Sequence, residues 1–289
     1  MARILVVTHE FDIFAERERF WKPRASFYLL FHVLEALNSM GHSWRISVGP
    51  CARAADAAIL HVNATRVPKD YLALAERYRV AINFRTGDIS KRRVNTGLLL
   101  SRGDNWSGRV IVKTDLNFLG RPEARINATA EARRRPRPFP APPNVDVYPI
   151  IDSIAQVPDA VWDDEGLVVQ RFLPETDPDG YALRTWVFAG SRGRCNRHVS
   201  PVPVVKADQV VSRQPAEVPD AIRAERERLG FDFGKFDFVV HEGEAILLDA
   251  NRTPGTAPML DQYMSDGASR APGGLAQLQR KRGTGAQNV

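Results

Sequence analysis

Short apolar runs alternate with helix-period segments over the first 85 residues. Ile4 to Val7 is a continuous apolar run, as in strands buried on both faces. A charged stretch from His9 to Arg24 follows. Phe27, Leu30, Leu34, Leu37 and Met40 then recur at helical spacing, with Gly41 placed as a C-terminal cap. Trp44 to Val48 and Asp56 to Val62 read as the second and third strands, Pro68 to Tyr78 as a helix and Val80 to Phe84 as a fourth strand. Strands alternating with helices predict an α/β unit over residues 1–85.

The second part is patterned differently. Val110 to Lys113, Leu167 to Phe172 and Leu183 to Phe188 are strand-like, and Asp220 to Leu229 has helical period. Phe236 to Val240 and Ala245 to Leu248 predict a hairpin around Glu242-Gly243, with irregular chain from Asn251. Residues 132–143 hold five prolines, which forbid helix or central strand and predict an extended loop. From Gly267 onward there is little periodicity and disorder is expected. No glycine-rich fingerprint follows the first strand. Thr8-His9-Glu10-Phe11-Asp12 cannot wrap a pyrophosphate, so the first unit is Rossmann-like in pattern only.

Charge changes this picture little. The 289 residues carry a formal charge of +6. Arg270, Arg280, Lys281 and Arg282 lie in the last 23 residues with no acid, and four more arginines lie between 133 and 137 beside Glu131. The rest of the chain is close to neutral, so the basic composition makes no case for nucleic acid. Cys51 and Cys195 are far apart and have no zinc-type spacing, which fits a reducing cytoplasm. The apolar start is too short for a secretory signal, and no run of about 18 apolar residues suggests a membrane span.

Candidate chemistry concentrates in the hairpin. Its strands would bring Asp237 near Asp249 and Asn251, and residues two apart on a strand share a face. Two carboxylates and an amide oxygen make a hard site suited to Mg²⁺. Asp249 also closes an apolar strand, where an unpaired carboxylate is costly. The competing reading makes these residues turn formers at the hairpin end.

The spacing Asp-x₁₁-Asp-x-Asn-x-x-Pro-Gly, ending at Gly255, resembles the Mg²⁺ site of the ATP-grasp ligases, with Asp249 where Glu is more usual. Other segments agree in order. Leu167 to Glu175 resembles the hinge strand that holds adenine. There Gln170 would accept from the amino group, backbone near Arg171, Phe172 and Leu173 would bond the base edge, and Glu175 would reach the ribose. Tyr181 to Phe188 resembles the next strand, which gives Arg184 a catalytic role against the phosphates; a strand-face salt bridge is the other reading. Val110 to Lys113 and the segment 114–123 look like the lysine strand and phosphate-covering loop, though only Gly120 is present there. Asp88-Ile89-Ser90-Lys91 resembles the element supplying a second lysine. The arginines of 133–137 are placed outside the phosphates as part of the closing flap. His198 has a general-base reading and a solvated-loop reading, and Cys195 is read as incidental.

The resemblance implies an α/β (α+β ATP-grasp) fold. A Rossmann-like pre-ATP-grasp domain at 1–85 precedes a two-subdomain ATP-grasp domain at 86–265, and 266–289 is a basic tail. It implies ATP and Mg²⁺ as cofactors and a cytoplasmic ligase that joins a small-molecule or peptide carboxylate to an amine through an acylphosphate. Nucleic acid and membrane are not expected as partners. Phosphoryl transfer to a stable acceptor and a degenerate nucleotide-binding module are the alternatives. Phe11, Phe14, Arg17, Trp21 and Arg24 are candidates for a substrate cleft.

Overall fold

The apolar run at the chain start becomes β1 (Arg3–Thr8), which is buried from Ile4 onward. In the computed structural model of the protein, which describes residues 1–15 and 27–256, β1 is flanked by two parallel strands. These are β2 (Ser43–Val48) and β3 (Ala57–Leu60), and β4 (Val80–Ile82) extends the sheet beyond β3. Helix α1 (Leu29–Ser39) packs Leu30 and Leu34 with Ile4, Val6 and Ile59 on one face. It stops where Gly41 takes a φ of 90°, as the cap reading requires. The segment 68–78 is a single turn, α2 (Lys69–Leu72), continued by a 3₁₀ turn at Ala73–Arg77. Its Tyr71, Leu74 and Tyr78 cover the other face, against Leu5, Val7 and Leu60.

Helix α3 (Lys91–Val94) leads into a second sheet. Strands β5 (Leu99–Leu100), β6 (Val110–Thr114), β7 (Ile150–Ile151) and β8 (Leu167–Arg171) pair antiparallel in the order β5-β8-β6-β7. The segment after β6 contains a 12-residue helix, α4 (Arg121–Ala132), whose first three residues fall in the segment expected to be a phosphate-covering loop. Pro122 sits in its first turn, where the missing N–H costs nothing. A short α5 (Asp159–Asp163) precedes β8.

A third, antiparallel sheet is built from β9 (Glu175–Asp177), β10 (Gly180–Ala189), β11 (Arg192–Ser200), β12 (Ser212–Pro215), β13 (Phe233–His241) and β14 (Glu244–Asn251). Its order is β12-β11-β10-β13-β14, with β9 on β10. Helix α6 (Asp220–Leu229) covers one face, where Ile222 and Leu229 meet Trp186, Phe188, Phe231 and Phe236. The rings of Phe188 and Phe236 lie 5.2 Å apart, edge to face. The β13–β14 turn has positive φ at both Glu242 and Gly243, the requirement of a two-residue type I′ hairpin.

That hairpin contains one irregularity that matters. Counting back from the turn pairs Asp237 with Leu248. The observed partner is Asp249, because the register shifts between Asp237 and Phe238. Leu248 is thus the extra residue of a bulge. A one-residue shift exchanges the two faces of a strand, so the bulge brings Asp249 to the face that carries Asp237.

Polar side chains tie the sheets together. Asn83, just beyond β4, donates to the Phe233 carbonyl and accepts from the Asp232 and Phe233 N–H groups. Arg252, 1 % exposed, spreads its guanidinium over the carbonyls of Val62, Ala64, Thr65 and Thr86. The β13–β14 hairpin is thereby fastened to the first sheet. Among the described residues no helix is long and apolar enough to cross a membrane. The basic tail lies outside the described residues.

Candidate active site

One cleft between the second and third sheets is lined by Lys91, Lys113, Gln170, Arg171, Phe172, Leu173, Asp237 and Asp249. Lys91 begins α3 and Lys113 lies on β6, both buried. Lys91 Nζ donates to Asp249 Oδ1 at 2.5 Å. Burial works against the Lys91 charge, but Asp249 outweighs it and raises its pKa above the ordinary lysine value. Among the described residues Lys113 has no such partner. Burial, with Lys91 alongside, brings it down to about 8. One buried pair and one weakly held cation therefore face the same space.

Asp237 is held from two sides. Thr185 Oγ1 donates to its Oδ1 at 2.9 Å and Lys235 Nζ lies 2.7 Å from its Oδ2. Asn251 lies opposite Lys235, and its Oδ1 accepts from the Thr253 N–H at 2.9 Å. Among the described residues no group of three His, Cys, Asp or Glu side chains is assembled for a metal. The set is two carboxylates and an amide. Carboxylate and amide oxygens are hard donors of the kind Mg²⁺ takes and can accept more than once; of the three residues, Asp237 and Asp249 line the cleft and Asn251 does not.

Arg184 was expected to face the phosphates. Arg184 pairs with Phe238 across β10–β13 while its neighbour Thr185 pairs with Asp237. Alternation puts Arg184 on the face opposite Asp237. Its guanidinium meets Glu175 at 3.0 Å. Glu175, expected at a ribose, is consumed there. It is 6 % exposed and binds Arg184, Arg197 and the Val240 N–H. Burial would raise its pKa, but the two arginines and that N–H lower it below the usual glutamate value.

The hinge residues are divided in their use. Gln170 is fully buried in the cleft wall, and its Oε1 has no partner among the described residues. The Arg171 guanidinium turns to the Gly97 carbonyl and lies over Trp106, and the Phe172 N–H is spent on the Arg109 carbonyl. Leu173 lines the cleft. The segment 114–120 makes a left-handed turn in which Phe118, Leu119 and Gly120 all have positive φ. Glycine adopts this backbone freely, whereas the other two residues are strained by roughly 1 kcal/mol or more each.

The proline-rich loop does not lie over the cleft. Arg133 donates to the Glu10 carbonyl and sits over Phe11, Arg137 pairs with Glu131, and Phe139 packs into the first unit beside His9. His198 is a strand residue of β11. Burial and Arg213, which donates to its Nδ1 at 3.1 Å, push it down to about 4. Cys195 is a buried core thiol raised to about 11 by burial, as an incidental cysteine would be. Of the substrate-cleft candidates, Phe11 and Phe14 are buried in apolar clusters. Arg17, Trp21 and Arg24 lie outside the described residues.

No protein-family model matches the chain, and no curated protein matches it in sequence. Solved structures do match its fold. An ATP-grasp ligase from Chryseobacterium gregarium, associated with peptide modification and solved with ADP and a leader and core peptide, aligns over 94 % of this chain and 98 % of its own. Its identity is 11 % and its TM-score 0.50. The chain has the ATP-grasp fold. The ATP-grasp ligase PsnB, solved with minimal precursor, Mg and ADP, aligns over 91 % of both chains at 12 % identity and a TM-score of 0.49. D-alanine–D-alanine ligase from Bacillus anthracis aligns over 93 % of both at 11 % and 0.39.

Within this ATP-grasp fold, four cleft-side residues escaped the sequence reading. Tyr148 lines the cleft, with its ring centre 5.9 Å from Lys113 Nζ. Thr185 and Lys235 flank Asp237, and Asn95 touches Gln170. Lys235 carried a signal, since it stands two residues before Asp237 on the same strand. Tyr148 and Asn95 lie in irregular chain and carried none.

Proposed function

We propose that this chain is an ATP- and Mg²⁺-dependent ligase that joins a carboxylate, of a peptide or a small molecule, to an amine through an acylphosphate. The convergence of Lys91 and Lys113 with Asp237 and Asp249 in one cleft supports this reading best. The chemical difficulty is an anion attacking a polyanion. Lys113, in the cleft wall and without a paired carboxylate, is suited to phosphate oxygens as a point charge. Lys91 is held by Asp249 and shares its charge between the carboxylate and the cleft. Asp237, Asp249 and Asn251 would hold Mg²⁺, which when bound neutralises and aligns phosphate oxygens. Thr185 and Lys235 orient Asp237 for that task. The low-dielectric wall of Ile111, Leu98 and Val239 excludes water that would hydrolyse an acylphosphate.

The test is Mg²⁺-dependent ADP release in the presence of candidate carboxylates and amines, read together with mass spectrometry for loss of water between two components. Asp249→Ala combined with Asn251→Ala abolishes both signals while circular dichroism stays native. Turnover that survives the pair overturns the assignment. ADP release accompanied by a stable phosphorylated acceptor, with no condensation, would make the enzyme a kinase instead.

A further inference from the structure

The cleft wall contains a chain of amides whose orientation is forced. Asn95, 3 % exposed, follows α3 and places its side chain between Gln170 and β14. Its Nδ2 donates to the Leu247 carbonyl at 2.6 Å. A carbonyl only accepts, so Asn95 must present its NH₂ there and its oxygen on the other side. Asn95 Oδ1 faces Gln170 at 3.3 Å, so Gln170 must present Nε2. One polar atom is left over. Gln170 Oε1 is fully buried and unpartnered, in a residue that lines the cleft. A buried acceptor left without a donor costs roughly 1–3 kcal/mol, a cost that an N–H brought to this oxygen would relieve.

We propose that Asn95 sets which purine the cleft accepts, by locking the Gln170 amide with its oxygen toward the ligand. The proposal rests on the reading of the cleft as a nucleotide site. Adenine offers a donor amino group at its 6-position. Hypoxanthine and guanine offer an acceptor oxygen there, which would face Gln170 Oε1 in lone-pair repulsion. A free glutamine could turn over and greet either base. Gln170 cannot turn, because Nε2 would then point away from Asn95 Oδ1 and two acceptors would meet. Asn95 is a positioning residue: it touches Gln170 and the Leu247 carbonyl, and acts on the base through Gln170.

The experiment measures the dissociation constants of ADP and of inosine diphosphate, with Mg²⁺, by calorimetry on the full chain. Wild type prefers ADP by about tenfold or more, the worth of roughly one hydrogen bond gained against one repulsion. Asn95→Leu frees the amide, so ADP binding holds within about threefold, inosine diphosphate tightens and the preference collapses. Asn95→Ala is the second variant should leucine not fit, and the same collapse is expected. Gln170→Leu also removes the preference, but by weakening ADP. Equal binding of both nucleotides by wild type, or an Asn95 variant that folds and keeps the wild-type preference, overturns the proposal. If wild type binds neither nucleotide, the nucleotide site itself is wrong, a distinct failure.

Discussion

Lys91 and Asp249 form an ion pair in the cleft. Lys91 is 3 % exposed in its side chain and Asp249 29 %. Removing the carboxylate leaves a buried ammonium without compensation, which costs about 3–5 kcal/mol. Asp249→Asn is therefore expected to lower urea stability by about that amount, and Lys91→Met added to it to recover most of the loss. Equal instability of the single and double variants would show that the pair is not coupled. Lys113 is its counterpart. With a pKa of about 8 it loses charge above that pH, while bound phosphate favours the charged form. ADP affinity should weaken by up to about tenfold per pH unit above 8, and Lys113→Met should flatten the profile. Asp12 acts on stability instead. It is 2 % exposed, and burial raises it to about 6 despite bonds from Phe14, Asn63 and Tyr28. A raised carboxylate pKa favours the folded state fully below the unfolded value near 4 and loses that contribution as pH rises through 6. Wild-type stability relative to Asp12→Asn should thus fall by about 3 kcal/mol between pH 4 and pH 7, measured by denaturant melts. A difference constant with pH would contradict the assignment.

Strands and their registers decide which of these residues meet. Arg184 lies on the sheet face opposite Asp237, so Arg184→Gln should leave ADP affinity within about twofold while lowering stability by about 1–3 kcal/mol through the Glu175 contact. A large loss of affinity at native stability would return Arg184 to the phosphates. The error at Arg184 shows where the sequence stops being informative. The strand was legible in Leu183 to Phe188, since alternating and apolar positions mark it without help from elsewhere. Its face was not legible, because a strand's two faces are distinguished only by what packs on each, and here α6 and Phe238 claim the side of Arg184. The same holds for the hairpin. Its turn could be read in Glu242-Gly243, and Asp237, Asp249 and Asn251 stood out by spacing. The bulge at Leu248 that makes Asp249 face Asp237 has no local signature, because leucine is at home in a regular strand. Helix α4 escaped for a related reason. Its interior is short and mixed, and Ile126 and Ala130 face Phe11, a partner more than 100 residues away.

At the scale of the whole molecule, the first unit holds the proline-rich loop and the hairpin in place. The parallel strands and Gly41 were readable because local propensity and burial agree there, but the partners of this unit were not. The prolines and arginines of 132–143 suggested a charged cover for phosphate, since composition carries no address. In the structure the address is written in Phe139, whose ring joins the cluster of Phe11, Ile126 and Ala130 and lies 5.6 Å from His9. Asn127 fixes the loop further, donating to the Phe139 carbonyl at 2.9 Å and accepting from its N–H at 3.1 Å. The loop is thus a strap across the first unit and α4, and its arginines are occupied on that side. A partly buried phenylalanine of this kind is worth about 2–3 kcal/mol, so Phe139→Ala should lower stability by that order in urea. The dissociation constant for ADP should stay within about twofold, at low and at high salt alike, because none of Arg133, Arg134, Arg135 and Arg137 lines the cleft. Replacing those four arginines by glutamine should likewise leave ADP binding unchanged. An ADP affinity that drops at low salt when they are neutralised would mean that the strap swings over bound nucleotide in solution, and that its docking on the first unit is only one of its positions.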